Sequence, residues 1–354
     1  MKKHLNLKET STIRVSLFPA MLLISVLLII TYFLAKNSVN AGSVGQKMQT
    51  QQSAAITLNE CNPKINVIRL HDFHLTQPLI LGEFAEQSRL LQPLQNQIDN
   101  LIREKIKAGQ LISASVFLRT FNNGNWFTVN GDETYIPGSL IKVAVMISYL
   151  KRAEQYKAIL GKQLIYKKKN KAVPSQTYEP HALKEGNAYS VKELLQFMIV
   201  DSDNDATELL NENLDIPAFI KVFTDLGMTA PNVMDRNFQI KPSEYSRFFR
   251  VLYNASYLTP ESSEFALQLL TKSTFEKGII DRLPTNLIVA HKFGEASTPE
   301  LKQLHESGII YLADKPYVIT IMTKGKTDVF LPAIIGDISN MAYEFLNNLK
   351  TATS

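Results

Sequence analysis

Ser139-Leu-Ile-Lys142, preceded by Pro137-Gly138 and followed by the apolar run Val143-Ala-Val-Met-Ile147, is the stretch on which the reading of this chain turns. A serine and a lysine three residues apart share one face of a helix. The lysine amine can then stand beside the hydroxyl and take its proton, which a serine needs before it becomes a useful nucleophile. Pro137-Gly138 places Ser139 at the helix start. Unsatisfied backbone N–H groups and the helix dipole there favour a developing oxyanion. The pattern recurs at Ser148-Tyr-Leu-Lys151. Nine residues at about 3.6 per turn put Ser148 on the opposite side of the same helix, where it reads as a structural serine.

Two further motifs follow in the chain. Ser202-Asp203-Asn204 comes after the apolar Leu194-Leu-Gln-Phe-Met-Ile-Val200, and His291-Lys292-Phe293-Gly294 comes after Leu287-Ile-Val-Ala290. Taken singly, each has a plain structural reading. Ser202 and Asn204 are ordinary helix-capping residues, and Lys292 fits an exposed strand position. In this order, however, the three motifs resemble those of class A β-lactamases and penicillin-binding proteins. Tyr189-Ser-Val-Lys-Glu-Leu-Leu195 resembles that family's helix before the second motif. Ser307-Gly-Ile-Ile-Tyr-Leu312 and Pro316-Tyr-Val-Ile-Thr-Ile-Met-Thr323 resemble its last two strands. The resemblance runs from about Leu91 to Lys350.

The resemblance implies a site. Ser139 is the acylated nucleophile, Lys142 its base, and Ser202 relays a proton to the leaving group. Asn204 holds the amide side chain of a substrate. Lys292 supplies positive charge across the cleft. Gly294 and Glu295 border the substrate, and the backbone N–H groups of Ser139 and Glu295 form the oxyanion hole. No metal or cofactor is expected. The chain departs from the family pattern twice. Phe293 stands where the family has a hydroxyl residue that binds a substrate carboxylate, and phenylalanine donates no hydrogen bond. The loop Gly227-Met-Thr-Ala-Pro-Asn-Val-Met-Asp-Arg-Asn-Phe-Gln-Ile240 contains no glutamate to activate the hydrolytic water. Asp235 is its only acid, and Glu244 falls in the next helix. Loss of a positioned general base costs about 10²–10⁴ in rate, so an acyl-enzyme is expected to form and to hydrolyse slowly.

Composition sets the frame. The chain has 354 residues, is 45% hydrophobic and carries a net charge of +5. It is long enough for a sizeable core. Cys61 is the only cysteine, which excludes an internal disulfide. Leu58-Asn-Glu-Cys61 lacks the small residues of a lipidation site. The six histidines are scattered without metal-ligand spacing, and no nucleic-acid motif is present. Lys167-Lys-Lys-Asn-Lys171 reads as a solvated loop or as a contact for an anionic lipid or cell-wall polymer. Val15 to Ala35 is almost continuously apolar after a tail carrying Lys2, Lys3, Lys8 and Arg14. About 20 apolar residues cross a bilayer, and basic tails stay on the cytoplasmic side. Val39-Asn-Ala41 offers a site at which a secretory signal could be cleaved, but Lys36 and Asn37 intervene, and the expectation is an uncleaved single-pass membrane anchor with an outward-facing domain.

The expected organisation is a basic tail over 1–14, an anchor over 15–36, a tether and lead-in over 37–90, and the hydrolase domain over 91–350. Leu94, Ile98, Leu101, Ile102 and Ile106 have helical spacing. Ser113–Arg119 and Trp126–Val129 flank Asn122-Asn-Gly124 as a hairpin. Residues 155–285 read as largely helical, with a capping box at Ser190 and Glu193 and a helix start at Pro242. Strands return near Leu287, Ile309 and Val318, and Pro332–Leu349 closes the chain as an amphipathic helix. The expected fold is α+β: one antiparallel sheet built from both ends of the domain, flanked by helices, with an all-helical subdomain inserted. Three functions stay open: a serine hydrolase acting on a small-molecule or peptide amide or ester, a penicillin-binding D,D-peptidase-like protein acting on cell-wall peptides, and a non-catalytic binding protein of the same fold.

Overall fold

The computed structural model describes residues 64–167, 183–232, 238–298 and 300–349. The basic tail, the apolar segment 15–36, Cys61, most of the lysine run and Asp235 lie outside the described residues. Among the described residues no helix is long and apolar enough to cross a membrane.

The central sheet has the order β4-β3-β9-β8-β7. Its strands are β3 (Ser113–Thr120), β4 (Trp126–Val129), β7 (Val289–Ser297), β8 (Lys302–Ile310) and β9 (Tyr317–Gly325), and every pairing is antiparallel. Strands from both ends of the domain thus meet in one sheet, as expected. Alternation along β9 divides its two faces. Val318 and Met322 enter one core with Phe117 and Ile309, whereas Tyr317, Ile319 and Ile321 enter a second with Val116 and Leu118. The second core is closed by α1 (Gln92–Lys107) and the C-terminal helix, named α8 below (Leu331–Asn348). In α1 the buried residues are Leu94, Ile98 and Ile102, one per turn.

The first core holds the inserted helices: α2 (Ile141–Gln155), α3 (Val191–Val200), α4 (Asn204–Glu212), α5 (Ile216–Asp225), α6 (Pro242–Tyr253) and α7 (Pro260–Leu270). Helix α2 is buried without interruption from Lys142 to Leu150, the behaviour of a helix that is apolar on all sides. Ser148 is buried within it, as its placement opposite Ser139 requires. The capping box before α3 forms, with Ser190 N–H donating to Glu193 at 2.7 Å and Glu193 N–H donating to Ser190 Oγ at 3.2 Å. A short pair, β5 (Gln163–Ile165) and β6 (Ala188–Ser190), leads into it.

The lead-in differs from expectation. Its sequence pattern assigns no element, yet β1 (Ile65–Arg69) and β2 (Leu79–Phe84) form an antiparallel pair. Arg250 on α6, buried, donates to Glu83 at 2.9 Å and to the Gly82 carbonyl at 3.3 Å. Arg119 also donates to Gly82 O, and the Trp126 indole to Phe84 O, both at 2.8 Å. The charge-assisted bonds from Arg250 and Arg119, with the neutral indole bond, fix β2 to the domain body.

Candidate active site

Ser139 lies in a single 3₁₀ turn, Gly138–Leu140, that runs directly into α2. Gly138 has φ +54°, and a Cβ there would lie 2.1 Å from the Glu295 carbonyl oxygen. A Cβ on Gly294 would lie 2.4 Å from Pro137 O and 2.7 Å from Leu140 N. Both positions therefore require glycine, because the edge strand β7 is pressed backbone to backbone against the serine turn. This brings the main chain of Glu295 beside that of Ser139, the juxtaposition that an oxyanion hole built from their N–H groups needs. From the other side the buried Tyr245 hydroxyl of α6 donates to Leu140 O at 2.9 Å and holds the turn.

Lys142 is one turn on and only 2% exposed. Its Nζ donates to Ser202 O at 2.6 Å, Asn204 Oδ1 at 2.9 Å and Ser202 Oγ at 3.2 Å. Burial lowers its pKa to about 7, with the nearby Asp203 carboxylate partly opposing. A lysine so placed is a neutral base over much of the physiological range. The amine is bonded to the α3–α4 junction; among the described residues no hydrogen bond joins it to Ser139 Oγ. The capping role at that junction falls to Asp203, whose carboxylate accepts from Ala206 N–H at 2.7 Å. Ser202 and Asn204 are left to face Lys142. Ser202 adopts φ +55°, a left-handed conformation uncommon for a residue with a side chain. That twist turns both its carbonyl and its hydroxyl toward the amine.

Lys292 departs from the expected exposure to the cleft. It is fully buried, with its Nζ 4.2 Å from the centroid of the Phe293 ring and donating to Phe293 O at 3.3 Å. Burial depresses its pKa well below the ordinary lysine value, and the Lys142 charge adds to this against Glu306, Glu295 and Asp201. The Phe293 ring stacks on Phe275, with centroids 4.1 Å apart and planes at 16°. Across the ladder from Phe293 lies Glu306. It is completely buried and accepts from Ile279 N–H at 2.7 Å, with His291 Nδ1 at 2.6 Å.

Ser139, Lys142, Asn204, Phe293 and Glu295 line one cleft of about 640 Å³. Ser202 and Lys292 sit behind its wall, 1% and 0% exposed. The sequence reading missed Lys277, Lys302 and Asp328 on the same cleft. They come from three separate segments and carry no local motif. Glu244 takes the N-terminal position of α6, where it accepts from Lys241 N–H at 3.2 Å. Among the described residues no group of three His, Cys, Asp or Glu side chains could hold a metal ion.

A profile of the β-lactamase enzyme family matches residues 93–346. No curated protein matches the sequence. Among solved structures, that of PBP-A is 20% identical with a TM-score of 0.63, covering 75% of this chain and 99% of PBP-A. A variant of PBP-A in an acyl-enzyme complex with penicillin G gives 20% and 0.63, covering 75% of this chain and 100% of that one. A class A β-lactamase from Bacteroides cellulosilyticus is 22% identical with a TM-score of 0.63, over 74% of this chain and 99% of its own. These structures share the fold, and the profile spans more than half of the sequence: the chain belongs to the β-lactamase enzyme family.

Proposed function

We propose that this protein is a membrane-anchored serine hydrolase that forms an acyl-enzyme on Ser139 with an amide or ester and releases it slowly. The observation that carries the reading is the buried Lys142 amine, held by Ser202 and Asn204 one turn from Ser139 with its pKa lowered to about 7. In the first half-reaction neutral Lys142 takes the Ser139 proton as Oγ bonds to the substrate carbonyl. The Ser139 and Glu295 N–H groups hold the oxyanion. The carbonyl carbon's bond to the leaving nitrogen or oxygen then breaks, and Ser202 passes the proton from Lys142 to that atom. Catalytic hydrogen bonds often close only in the substrate complex, so the distance between Ser139 Oγ and Lys142 is expected to shorten on binding.

The second half-reaction needs a base beside a water. Glu244 is engaged at a helix start, and the loop Gly227–Ile240 has no glutamate. Anchoring by residues 15–35, with the hydrolase domain on the extracytoplasmic side, is part of this proposal; the apolar run after a basic tail supports it.

A second reading, a penicillin-binding protein acting on cell-wall peptides, is favoured by the missing glutamate and the fold likeness to PBP-A. Intact-mass analysis after exposure to a panel of β-lactams and activated esters tests both. A persistent adduct on Ser139, absent in Ser139→Ala, is expected. Adducts with β-lactams alone would favour the second reading, and no adduct with any acyl donor would leave a binding protein of the same fold. Rapid turnover of penicillins would show that another base had replaced the glutamate.

A further inference from the structure

We propose that His305 is a positioning residue for acylation on Ser139: its imidazole clamps the Ile136–Pro137 peptide to the sheet and thereby sets where the Ser139 N–H meets an oxyanion. The proposal rests on the Ser139 acyl-enzyme reading and adds to it a residue that is completely buried and outside the cleft lining.

The backbone entering the serine turn has a gap in its own hydrogen bonding. Pro137 has no N–H, so the Ile136–Pro137 peptide unit offers a single hydrogen-bonding group, the Ile136 carbonyl. His305 Nε2 lies 3.1 Å from that oxygen. The other ring nitrogen, Nδ1, accepts from Thr323 N–H of β9 at 3.2 Å. A backbone amide only donates, so Nδ1 carries no proton and Nε2–H donates to Ile136 O. The two partners thus select one neutral tautomer. Burial supports it by lowering the imidazole pKa to about 3, with the backbone bonds at Ile136 and Leu304 opposing and the Lys324 charge adding. The ring is held edge-on to Tyr135, with centroids 5.2 Å apart and planes at 75°.

The clamp acts beside the nucleophile. His305 stands opposite Gly294 in the β7–β8 ladder, and opposed residues share a face of the sheet. A Cβ on Gly294 would lie 2.4 Å from Pro137 O. One cross-strand pair therefore receives two successive carbonyls, Gly294 by close approach to Pro137 and His305 by a hydrogen bond to Ile136. Pro137 O in turn accepts from Leu140 N–H at 3.1 Å, the bond that closes the serine turn. Rotating the Ile136–Pro137 plane would move that turn, and the Ser139 N–H with it, relative to Glu295 on β7. Upstream the chain is anchored at Thr134 O by Lys324 at 2.9 Å, and at Tyr135 by paired backbone bonds with Ile240 at 3.1 and 2.9 Å. Gln303 reaches Ile136 N–H at 3.4 Å. The last span before Ser139 depends on the His305 donor.

The test is single-turnover acylation of the full-length chain in detergent by 4-nitrophenyl butyrate. The Ser139 Oγ–carbon bond forms, the Ser139 proton goes to Lys142, and nitrophenolate leaves with the electron pair of the broken ester bond. Burst rate, burst amplitude and adduct mass are read after subtraction of the Ser139→Ala background. His305→Asn keeps an acceptor near the Nδ1 position for Thr323 N–H and gives up the donor at Nε2. His305→Gln carries its amide out to the Nε2 position and restores that donor. At saturating ester His305→Asn is expected to acylate about 10–100-fold more slowly, the scale of a displaced catalytic group. Its half-saturating ester concentration should stay within about 2-fold and its pH midpoint near that of wild type, because substrate binding and Lys142 are untouched. His305→Gln should recover to within about 3-fold of wild type. A misfolded fraction would lower the burst amplitude and leave the rate unchanged. Wild-type rates in folded His305→Asn, or a His305→Gln as slow as His305→Asn, would overturn the proposal while leaving the Ser139 reading intact. So would imidazole nitrogen NMR on histidine-labelled wild type that finds His305 charged or protonated at Nδ1. Should His305→Asn fail to fold, the tautomer and the His305→Gln rate decide, a rate below about a tenth of wild type overturning it. Absence of any Ser139 adduct in wild type would remove the acyl-enzyme reading and this inference together.

Discussion

Acylation should titrate with Lys142, and pH is the cleanest perturbation of it. The amine is buried, and its pKa falls from the ordinary 10.5 to about 7. With a midpoint near 7, the neutral fraction is about 9% at pH 6 and about 91% at pH 8, so the acylation rate should rise about tenfold across that interval and then flatten. A lysine at its ordinary value would instead give about a 100-fold rise over the same two pH units, with no plateau until well above pH 10. The assay is single-turnover acylation by an activated ester, followed by rapid mixing or quenched mass spectrometry at constant ionic strength. Asp203→Asn sharpens the test. Asparagine still caps α4, but the carboxylate that favours the charged amine is gone, so the midpoint should move down. A log-linear rise through pH 9, or an Asp203→Asn midpoint that moves up, would refute the assignment of Lys142 as the base.

Ser202 carries a second expectation. Its φ of +55° costs roughly 1–2 kcal/mol for a residue with a side chain, so Ser202→Gly should melt about 2–4 °C above Ser202→Ala, while both slow acylation by about 10²–10³; equal melting temperatures would remove the strain argument. Residues 15–35 carry a third: the full-length chain should stay with membranes through an alkaline wash, and a chain lacking residues 1–36 should leave them. Recovery of the intact chain in the soluble fraction would count against the anchor.

The elements that the sequence made legible are those whose signal is local. The stripe Leu94, Ile98, Ile102 becomes α1, the Asn122-Asn-Gly124 turn joins β3 to β4, and the Ser190–Glu193 box starts α3. The three motifs were readable in order, and the structure brings Ser139, Lys142 and Asn204 to one cleft with Ser202 on the amine. What stayed hidden depends on packing between distant segments. Strands β1 and β2 bury only Ile80 and Leu81 fully, so no alternation betrays them, and their attachment relies on Arg250, 167 residues from Glu83. Lys277, Lys302 and Asp328 reach the cleft from separate loops and strand ends. Phe293 was legible as a lost hydroxyl. That its ring would lie over Lys292 follows from the Phe275 stack, which no spacing announces.

The two half-reactions place different demands on these residues, and the fold supports them unequally. Acylation needs a nucleophile, a base and an oxyanion hole, and all three lie on the serine turn Gly138–Leu140, α2 and the β7 backbone, held by glycine contacts at 138 and 294. Hydrolysis of the acyl-enzyme needs a base aimed at water on the open side of the ester. Glu244 is held by the Lys241 N–H. Lys142 is a buried base already at the site, and its three hydrogen bonds point it at Ser202 and Asn204. Once acylation is complete, the proton taken from Ser139 has left with the product through Ser202, so Lys142 is again neutral and able to accept one from water. Hydrolysis by that route would share the acylation midpoint near pH 7, but the amine must first release the Ser202 carbonyl at 2.6 Å to reach a water. A bond that is shortest to a fixed backbone atom is a poor starting point for such a swing. If hydrolysis ran through Lys142, the hydrogen bonds that hold its amine at Ser202 and Asn204 would therefore be expected to slow the release of the acyl group.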